Sequence, residues 1–264
     1  MRTPLLRALA VLLALSAASA ASAASAKRPA PAGAHKGAPA EYTRFSSDEI
    51  VRGFMALAFG SDLHLGAPSA GVRRFDHPIR ARVIGGGTVD RKTQMERILE
   101  EMARKVPNLK LTLVPDAEAS NADIEIRLID EADFALALRR AFGEKVARDF
   151  IRRTDPQCMT SVTSASTGAI ERAISFVIVD QGEDVFRDCA YHEPLHAFGL
   201  SNHDQRNPWT TLNQNRMVGY LTIYDRALLT LLYDPRITPG MSRERARSAL
   251  RPVIEDLGLT APAR

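Results

Sequence analysis

The chain has 264 residues, a formal net charge of +4 at pH 7, and hydrophobic residues at 45% of its positions. Two of the positive charges, Arg2 and Arg7, lie in an N-terminal segment that we expect to be removed, which leaves a net charge of +2. A charge that small gives no electrostatic reason to expect binding to nucleic acid or to an anionic membrane surface.

The first 20 residues have the order of features that is typical of a secretory signal peptide. A positively charged start precedes the apolar run 8–15 (ALAVLLAL), and the small residues 16–20 (SAASA) offer a cleavage site. The apolar run is shorter than the roughly 20 residues that a membrane span needs. We therefore predict a periplasmic or secreted protein without a membrane span. Cleavage is expected after Ala20, with Ala23 and Ala26 as alternatives.

The remaining chain divides into a leader and a folded domain. Residues 21–45 are rich in alanine, proline, glycine and serine and have few large apolar side chains. Such a stretch cannot bury enough surface to offset the entropy of ordering, so a flexible leader is predicted there. Residues 46–264 are long enough for one domain with a substantial core. Cys158 and Cys189 permit one disulfide in an exported protein, and two buried free thiols are the alternative.

Apolar spacing and turn residues predict a series of helices and strands along the domain. A helix is expected to begin at Ser46 or Ser47, with Glu49 completing a capping box, and to end at Gly60. The first of the later predictions is a strand within 73–84, where Ile79, Ala81 and Val83 alternate with other residues. The others are a helix at 89–106, strands at 110–114 and 122–128, a helix at 131–152, a strand at 174–179, the helix that carries the motif described next, and helices at 222–233 and 242–256. This order predicts a mixed α/β (α+β) fold, a sheet with helices packed on it.

The pattern His192-Glu193-Pro194-Leu195-His196 is typical of a metal site. Two histidines four residues apart on a helix lie on one face about one turn apart, close enough to bind one ion. Zinc accepts imidazole nitrogen, and a catalytic zinc site has three protein ligands and a position for water. Glu193 is predicted to be the general base that takes the proton of that water. Buried, hydrogen-bonded core histidines are the alternative interpretation of His192 and His196.

Residues in and beyond the motif resemble two groups of known proteins. The stretch from His192 to Gly199 is similar to the metal-binding pattern of the metzincin clan of zinc endopeptidases. A wider pattern comprises the two cysteines, Arg74 to Ile79, Cys189-x-x-x-Glu193, Gly199-Leu200-x-Asn202, Leu221-Thr222-x-x-Asp225, Leu232-Tyr233-Asp234-Pro235-Arg236 and Pro239-Gly240-Met241. In this pattern, which covers most of residues 46–256, the chain more closely resembles domain-of-unknown-function family 2927 of exported bacterial proteins. The resemblance implies a single zincin-like domain with a mixed sheet.

Three neighbouring residues are candidates for the third metal ligand. In the metzincin pattern it falls three residues after the glycine, which is Asn202 in this chain. Asparagine is a poor zinc ligand beside imidazole, so we predict His203, with Asp204 as the second choice. Gly199 is expected to end the helix in a left-handed conformation and to fold these side chains back towards the ion.

Four residues near the motif each have two interpretations. Pro194 departs from the metzincin pattern, and because proline removes a hydrogen bond inside a helix, the helix is expected to begin late or to bend. Tyr220 and Tyr224 are candidates for stabilising an oxyanion or for ordinary packing. Asp225 is a candidate for orienting a ligand histidine, or for a helix-capping or surface role.

These residues together predict an exported zinc-dependent metallopeptidase. Zn²⁺ bound by His192, His196 and His203, with Glu193 as the base, would activate water against a protein or peptide substrate; no oligomeric state is predicted. The resemblance also implies an alternative, because many members of family 2927 carry an acid and a glutamine in place of His192 and His196. The alternative is a catalytically inactive zincin-fold protein that binds or supports other components of the bacterial envelope.

Overall fold

The computed structural model describes residues 45–60, 69–154 and 156–259. The predicted signal peptide (1–20) and the predicted leader up to residue 44 lie outside these ranges. The helices are α1 (Ser47–Phe59), α2 (Lys92–Lys105), α3 (Glu131–Phe142), α4 (Glu144–Thr154), α5 (Glu183–Ala197), α6 (Ile223–Leu232) and α7 (Arg243–Asp256). The strands are β1 (Ile79–Ile84), β2 (Leu111–Leu113), β3 (Ile124–Ile129), β4 (Cys158–Ser164) and β5 (Ile170–Ile178). A 3-10 segment at Asp116–Asn121 lies between β2 and β3.

The five strands form one mixed sheet in the order β2-β1-β3-β5-β4. Strands β2, β1, β3 and β5 pair in parallel, and β4 pairs antiparallel with β5 at one edge. Side chains of β1 alternate between buried and partly exposed, as the pattern at 79–83 predicts. The predicted mixed α/β fold is confirmed.

Helices cover both faces of this sheet. On one face α2 and α5 pack against the strands, and α1, α6 and α7 complete the main core. On the other face α3 and α4 form a smaller core against β5. Neighbouring residues of β5 point to opposite faces, so Val177 belongs to the main core and Phe176 to the smaller one. Because α5 packs on β4 and β5, the motif lies on the main-core side.

Most predicted elements are present, with one clear error. The capping box of Ser46 and Glu49 is formed, and α1 ends at Phe59 before Gly60. The predicted helix at 131–152 is instead two helices, because Gly143 between α3 and α4 has φ of +84°. A left-handed residue ends a helix, and glycine adopts that conformation without strain, so the prediction of one continuous helix was wrong.

Strand β4 was not predicted. Its sequence CMTSVTS is mostly polar, and each of its residues except Thr163 is partly buried, so no period-2 apolar pattern marks it. Its position is fixed by pairing with β5 and by the disulfide between Cys158 and Cys189, whose Cα atoms are 5.9 Å apart. The disulfide confirms that prediction over the free-thiol alternative.

The described residues include no helix with both the length and the apolar character that crossing a bilayer requires. Phe45, the last residue of the predicted leader, is buried, and its ring lies 4.8 Å from that of Tyr224. The residue immediately before the α1 N-cap therefore packs into the core.

Candidate metal centre

The two motif histidines lie near the end of α5, on one face of the helix. Their separation of one turn places the Nε2 atoms of His192 and His196 3.1 Å apart. His192 is buried and His196 is partly buried. Regular helical geometry alone is therefore enough to bring two imidazoles to one point.

Pro194 lies inside this helix rather than at its start. The helix begins at Glu183 and continues through Pro194 to Ala197, so the expectation of a late helix start was wrong. Proline cannot donate a backbone hydrogen bond, but its carbonyl oxygen still accepts from the N–H of Phe198 at 2.9 Å. The two histidines on either side of Pro194 keep their common face.

The end of α5 is closed by a Schellman motif. The N–H of Gly199 donates to the carbonyl of His196, and the N–H of Leu200 donates to the carbonyl of Leu195, both at 3.0 Å. Gly199 has φ of +121°, and a Cβ there would lie 2.1 Å from the carbonyl oxygen of Arg73. Glycine is thus required for both the conformation and the close approach, and it turns the chain back across the helix.

The turn after Gly199 brings His203 to the two helix histidines. Its Nε2 atom is 2.8 Å from that of His192 and 3.2 Å from that of His196. The other two candidates for the third position have different partners: the Asn202 amide donates to the Ala56 carbonyl at 3.0 Å, and the Asp204 carboxylate accepts from the N–H of Arg206 at 3.2 Å. Of the three candidates, the structure brings only His203 to the cluster, and the three histidines form a group that could hold a metal ion.

Backbone carbonyls determine which way the helix imidazoles face. Nδ1 of His192 is 3.0 Å from the carbonyl oxygen of Thr211, and Nδ1 of His196 is 2.6 Å from that of Leu200. A carbonyl oxygen only accepts, so Nδ1 of each ring must carry the proton and donate it. In a neutral ring the Nε2 atom then has a bare lone pair, which is the form that binds a metal.

The electrostatics of the cluster favour an added cation. Burial, and then the nearby rings of His196 and His203, lower the pKa of His192 well below its ordinary value of 6.5, so this ring is neutral at pH 7. When both helix rings are neutral with Nδ1 protonated, their Nε2 lone pairs face each other across 3.1 Å and repel. A cation shared by the three nitrogens would remove that repulsion.

The spacing of the nitrogens fits a tetrahedral metal. Zinc–nitrogen distances of about 2.0–2.1 Å place the nitrogens of a tetrahedral site about 3.3 Å apart. The three Nε2 separations in the structure are 2.8, 3.1 and 3.2 Å. Movements of a few tenths of an ångström would complete the coordination, so the residues present fit a zinc-sized ion.

The sheet holds α5 through two contacts beside the motif. The disulfide joins Cys189, one turn before the motif, to Cys158 at the start of β4. Two residues further along β4, the hydroxyl of Thr160 donates to the main-chain carbonyl of Glu193 at 3.2 Å and lies 2.7 Å from the hydroxyl of Ser175. The helix segment that presents the histidines is therefore fixed to the antiparallel edge of the sheet.

The loop 201–221, which carries His203, is held by polar contacts. The carboxylate of Asp225 is fully buried and accepts from the hydroxyl of Thr210 at 2.6 Å and from the N–H of Thr211 at 2.8 Å. Burial raises the pKa of Asp225 above its ordinary value, and these hydrogen bonds oppose the rise without cancelling it. The carboxylate of Asp188 on α5 accepts from the N–H of Val218 at 2.7 Å. Two carboxylates thus hold this loop, Asp225 at its middle and the partly buried Asp188 near its end.

The remaining candidates have distinct surroundings. Glu193 is 3% exposed, on the turn between the two helix histidines. The hydroxyl of Tyr224 donates to the carbonyl of Glu49 at 3.0 Å, and burial raises its pKa, so it packs beneath α1. Tyr220 is partly buried, and its carbonyl accepts from the hydroxyl of Thr211 at 3.2 Å. Sequence reasoning missed Thr211, because it acts through a main-chain carbonyl that every residue carries. It missed Thr210 because the hydroxyl meets Asp225 only in the folded chain.

Comparison with known proteins identifies the family. The family described as "Protein of unknown function (DUF2927)" matches residues 47–252, which include α1 to α6, most of α7 and all three clustered histidines. The chain belongs to this family. No curated protein matches the chain, and no solved structure does.

Membership of DUF2927 confirms the family resemblance that the sequence carries. The family description names no activity. Any functional conclusion must therefore come from the histidine cluster and its surroundings.

Proposed function

We propose that this member of DUF2927 is a zinc-dependent peptidase that acts outside the cytoplasm. One observation carries the proposal: three imidazole Nε2 atoms lie 2.8–3.2 Å from one another, and two of them are held with their lone pairs directed at a common point. Two of these histidines also flank a buried glutamate in the pattern His192-Glu193-Pro194-Leu195-His196.

Zinc is the metal that these ligands suit best. Three imidazoles form a nitrogen donor set that borderline-soft metals favour, and three protein ligands leave a fourth tetrahedral position for water. When bound in this way, zinc lowers the pKa of its water to about 7 and polarises a carbonyl oxygen.

Glu193 supplies the base. It follows His192 directly on α5, and its side chain is almost fully shielded from bulk solvent. In the proposed reaction its carboxylate accepts the proton of the attacking water and then delivers it to the amine that leaves the cleaved peptide bond. The main-chain contact from Thr160 to the Glu193 carbonyl fixes the backbone from which this carboxylate projects.

A protein or peptide is the substrate class that the sheet favours. Strand β4 is at the edge, and no other strand of the described chain pairs with its outer side. An exposed edge offers backbone donors and acceptors to an extended peptide. Because β4 contacts the motif turn through Thr160 and the disulfide, such a peptide would run beside the histidines. A mixed sheet with this edge strand and a histidine-bearing helix supports the zincin-like relation.

Two features support a location outside the cytoplasm. The predicted signal peptide at residues 1–20 would direct export. The disulfide between Cys158 and Cys189 is compatible with an oxidising compartment, where such bonds persist.

The test combines metal analysis with hydrolysis of unfolded protein substrates by the purified, disulfide-bonded chain. We expect about one zinc per chain in the wild type and in Glu193→Gln, with hydrolysis reduced at least about 100-fold in Glu193→Gln only. Glu171→Gln, an exposed glutamate on β5, is the matched control and should behave as wild type. One bound zinc with no hydrolysis by any variant would instead support the inactive zincin-fold alternative. Absence of bound zinc would contradict the proposed metal site.

A further inference from the structure

A continuous chain of hydrogen bonds leads from the metal-facing ring of His192 to the buried carboxylate of Asp225. Nδ1–H of His192 donates to the Thr211 carbonyl at 3.0 Å. The N–H of the same peptide unit, that of Leu212, donates to the hydroxyl of Thr210 at 3.1 Å. That hydroxyl donates to Oδ1 of Asp225 at 2.6 Å.

Every donor in this chain points in the same direction. Each hydrogen bond therefore polarises the next, and the chain ends at the group best able to accept the accumulated charge. The N–H of Thr211 donates to Oδ2 of Asp225 at 2.8 Å, so both oxygens of the carboxylate act as acceptors. Asp225 also lies in the first turn of α6, where the helix dipole stabilises a negative charge.

Beyond the His192 ring, which is 8% exposed, this series of hydrogen bonds is closed to water. Thr210, Leu212 and Asp225 are fully buried, and Thr211 is 1% exposed. Water therefore cannot replace any of these contacts, and loss of one donor leaves a buried acceptor unpaired. Hydrogen bonds that only close a surface loop do not need this exclusion of water.

We propose that Thr210 and Asp225 are positioning residues that set the tautomer, the orientation and the basicity of His192 through the Thr211–Leu212 peptide. Metal-binding histidines commonly donate their second N–H to a carboxylate or a carbonyl, which fixes the ring and strengthens it as a ligand. In this protein the Asp225 carboxylate does not contact the His192 ring. The Thr211–Leu212 peptide and the Thr210 hydroxyl transmit its effect. This inference rests on the proposed zinc site.

His196 offers an internal comparison. Its Nδ1–H donates to the Leu200 carbonyl, which belongs to the Schellman turn and not to the loop that Asp225 holds. A change at Thr210 should therefore alter His192 and leave the orientation of His196 intact.

The first experiment measures zinc affinity by competition with a chromophoric chelator in the full, disulfide-bonded protein. Thr210→Val removes the hydroxyl at nearly constant shape, and we expect zinc affinity about 10–100-fold weaker than wild type, the usual effect of losing such an outer partner. Thr210→Ser retains the hydroxyl and should restore affinity to within about threefold of wild type. Thr230→Val is the matched control, because Thr230 is a buried threonine of α6 whose hydroxyl donates only to the Arg226 carbonyl.

The outcomes separate the two proposals. Wild-type affinity in Thr210→Val, or an equal loss in Thr230→Val, overturns the positioning role while the zinc site stands. Absence of zinc binding by the wild type overturns both proposals.

A second measurement needs no variant and no metal. Ring ¹⁵N–¹H correlation spectra of the metal-free wild type should show His192 protonated at Nδ1, with a strongly hydrogen-bonded proton. A spectrum with the proton on Nε2 of His192 contradicts the proposed positioning role, even if Thr210→Val fails to fold.

Discussion

The two sides of the histidine cluster are built by different means. On the helix side, His192 and His196 share a face of α5, and the disulfide and Thr160 fix that helix to the sheet. On the loop side, the segment 201–221 has no helix or strand, and it is organised by the side chains of Asp188, Asp225 and Asn213. The helix side therefore depends on backbone periodicity, and the loop side depends on individual polar contacts.

This difference assigns separate roles to the two sides. Helix geometry brings two nitrogens together at little cost, because α5 is already stabilised by packing against the sheet. The loop supplies the third nitrogen and the carbonyl that orients the first. Its hydrogen bonds act individually, from about 1 kcal/mol for a neutral pair to about 1.5–3 kcal/mol for a bond to a carboxylate. Changes on the helix side should therefore affect the stability of the whole domain, and changes on the loop side should mainly affect metal binding.

The largest effect is expected where the two sides meet, at Gly199. In Gly199→Ala the new Cβ would meet the Arg73 carbonyl oxygen at 2.1 Å in a backbone conformation that disfavours any side chain. We expect a loss of about 4 kcal/mol or more in the free energy of unfolding, measured by urea denaturation, together with loss of zinc binding. Gly143→Ala is the control, because its φ of +84° is also left-handed but a Cβ there meets no atom within 4 Å. Its cost should stay near 1–2 kcal/mol; equal losses in the two variants would show that the contact with Arg73 is unimportant.

The next effect isolates the helix side. The disulfide closes a loop with a sequence separation of 31 residues, so Cys158→Ser/Cys189→Ser should lower the free energy of unfolding by about 3–4 kcal/mol. Zinc affinity of the folded variant should change less than about fivefold, because helical geometry still pairs His192 with His196. Calorimetric unfolding and chelator competition on the same samples separate these quantities. A large loss of zinc affinity at an unchanged melting temperature would show that the disulfide supports the metal site and not the stability of the domain.

The same division explains what the sequence could predict. Residues on α5 follow a period of 3.6, so the shared face of His192 and His196 was predictable from their spacing. The helix end at Gly199 was predictable from residue type. The carbonyls of Thr211 and Leu200 were not, because every residue carries a carbonyl and only the folded chain selects one. Strand β4 was missed for a related reason: its polar residues are placed by β5 and the disulfide, which are contacts distant in sequence.

A third prediction concerns Asp188, where helix and loop join through the N–H groups of Val218 and Gly219. Burial raises the pKa of Asp188 to about 6, and those two hydrogen bonds oppose the rise. Because the folded pKa exceeds the ordinary aspartate value of 3.8, the fold binds this proton more tightly than the unfolded chain does. The resulting stability is present below about pH 4 and is lost as the pH rises through about 6.

Comparison of metal-free wild type with Asp188→Asn between pH 4 and pH 8 tests the direction of this pH dependence. The free energy of unfolding of the wild type should fall by about 2–3 kcal/mol more than that of the variant, since each unit of pKa shift corresponds to about 1.4 kcal/mol. Contributions from other groups, His192 included, are common to both proteins and cancel in the difference. Parallel curves would show that Asp188 ionises as freely in the fold as in the unfolded chain.

The smallest effect on stability should come from the loop side alone. The Asn213 amide donates to the carbonyls of Asn207 at 2.8 Å and Gln205 at 3.3 Å, and its oxygen accepts from the N–H of Asn215 at 3.0 Å. Asn213→Ala removes these contacts between the His203 end and the Thr211 end of the loop. We expect a loss of only about 1 kcal/mol in unfolding free energy but faster amide exchange across 201–221 and weaker zinc binding.

Gln214→Ala provides the control for that loss. Gln214 is exposed, and its oxygen accepts only a long contact of 3.4 Å from the Gln205 amide. This variant should retain wild-type exchange rates and zinc affinity. If Asn213→Ala instead weakens the whole domain and leaves zinc binding unchanged, the loop is part of the structural core. The separation between a helix side that stabilises the domain and a loop side that tunes the site would then fail, because loop contacts would be contributing to the same cooperative unit as α5.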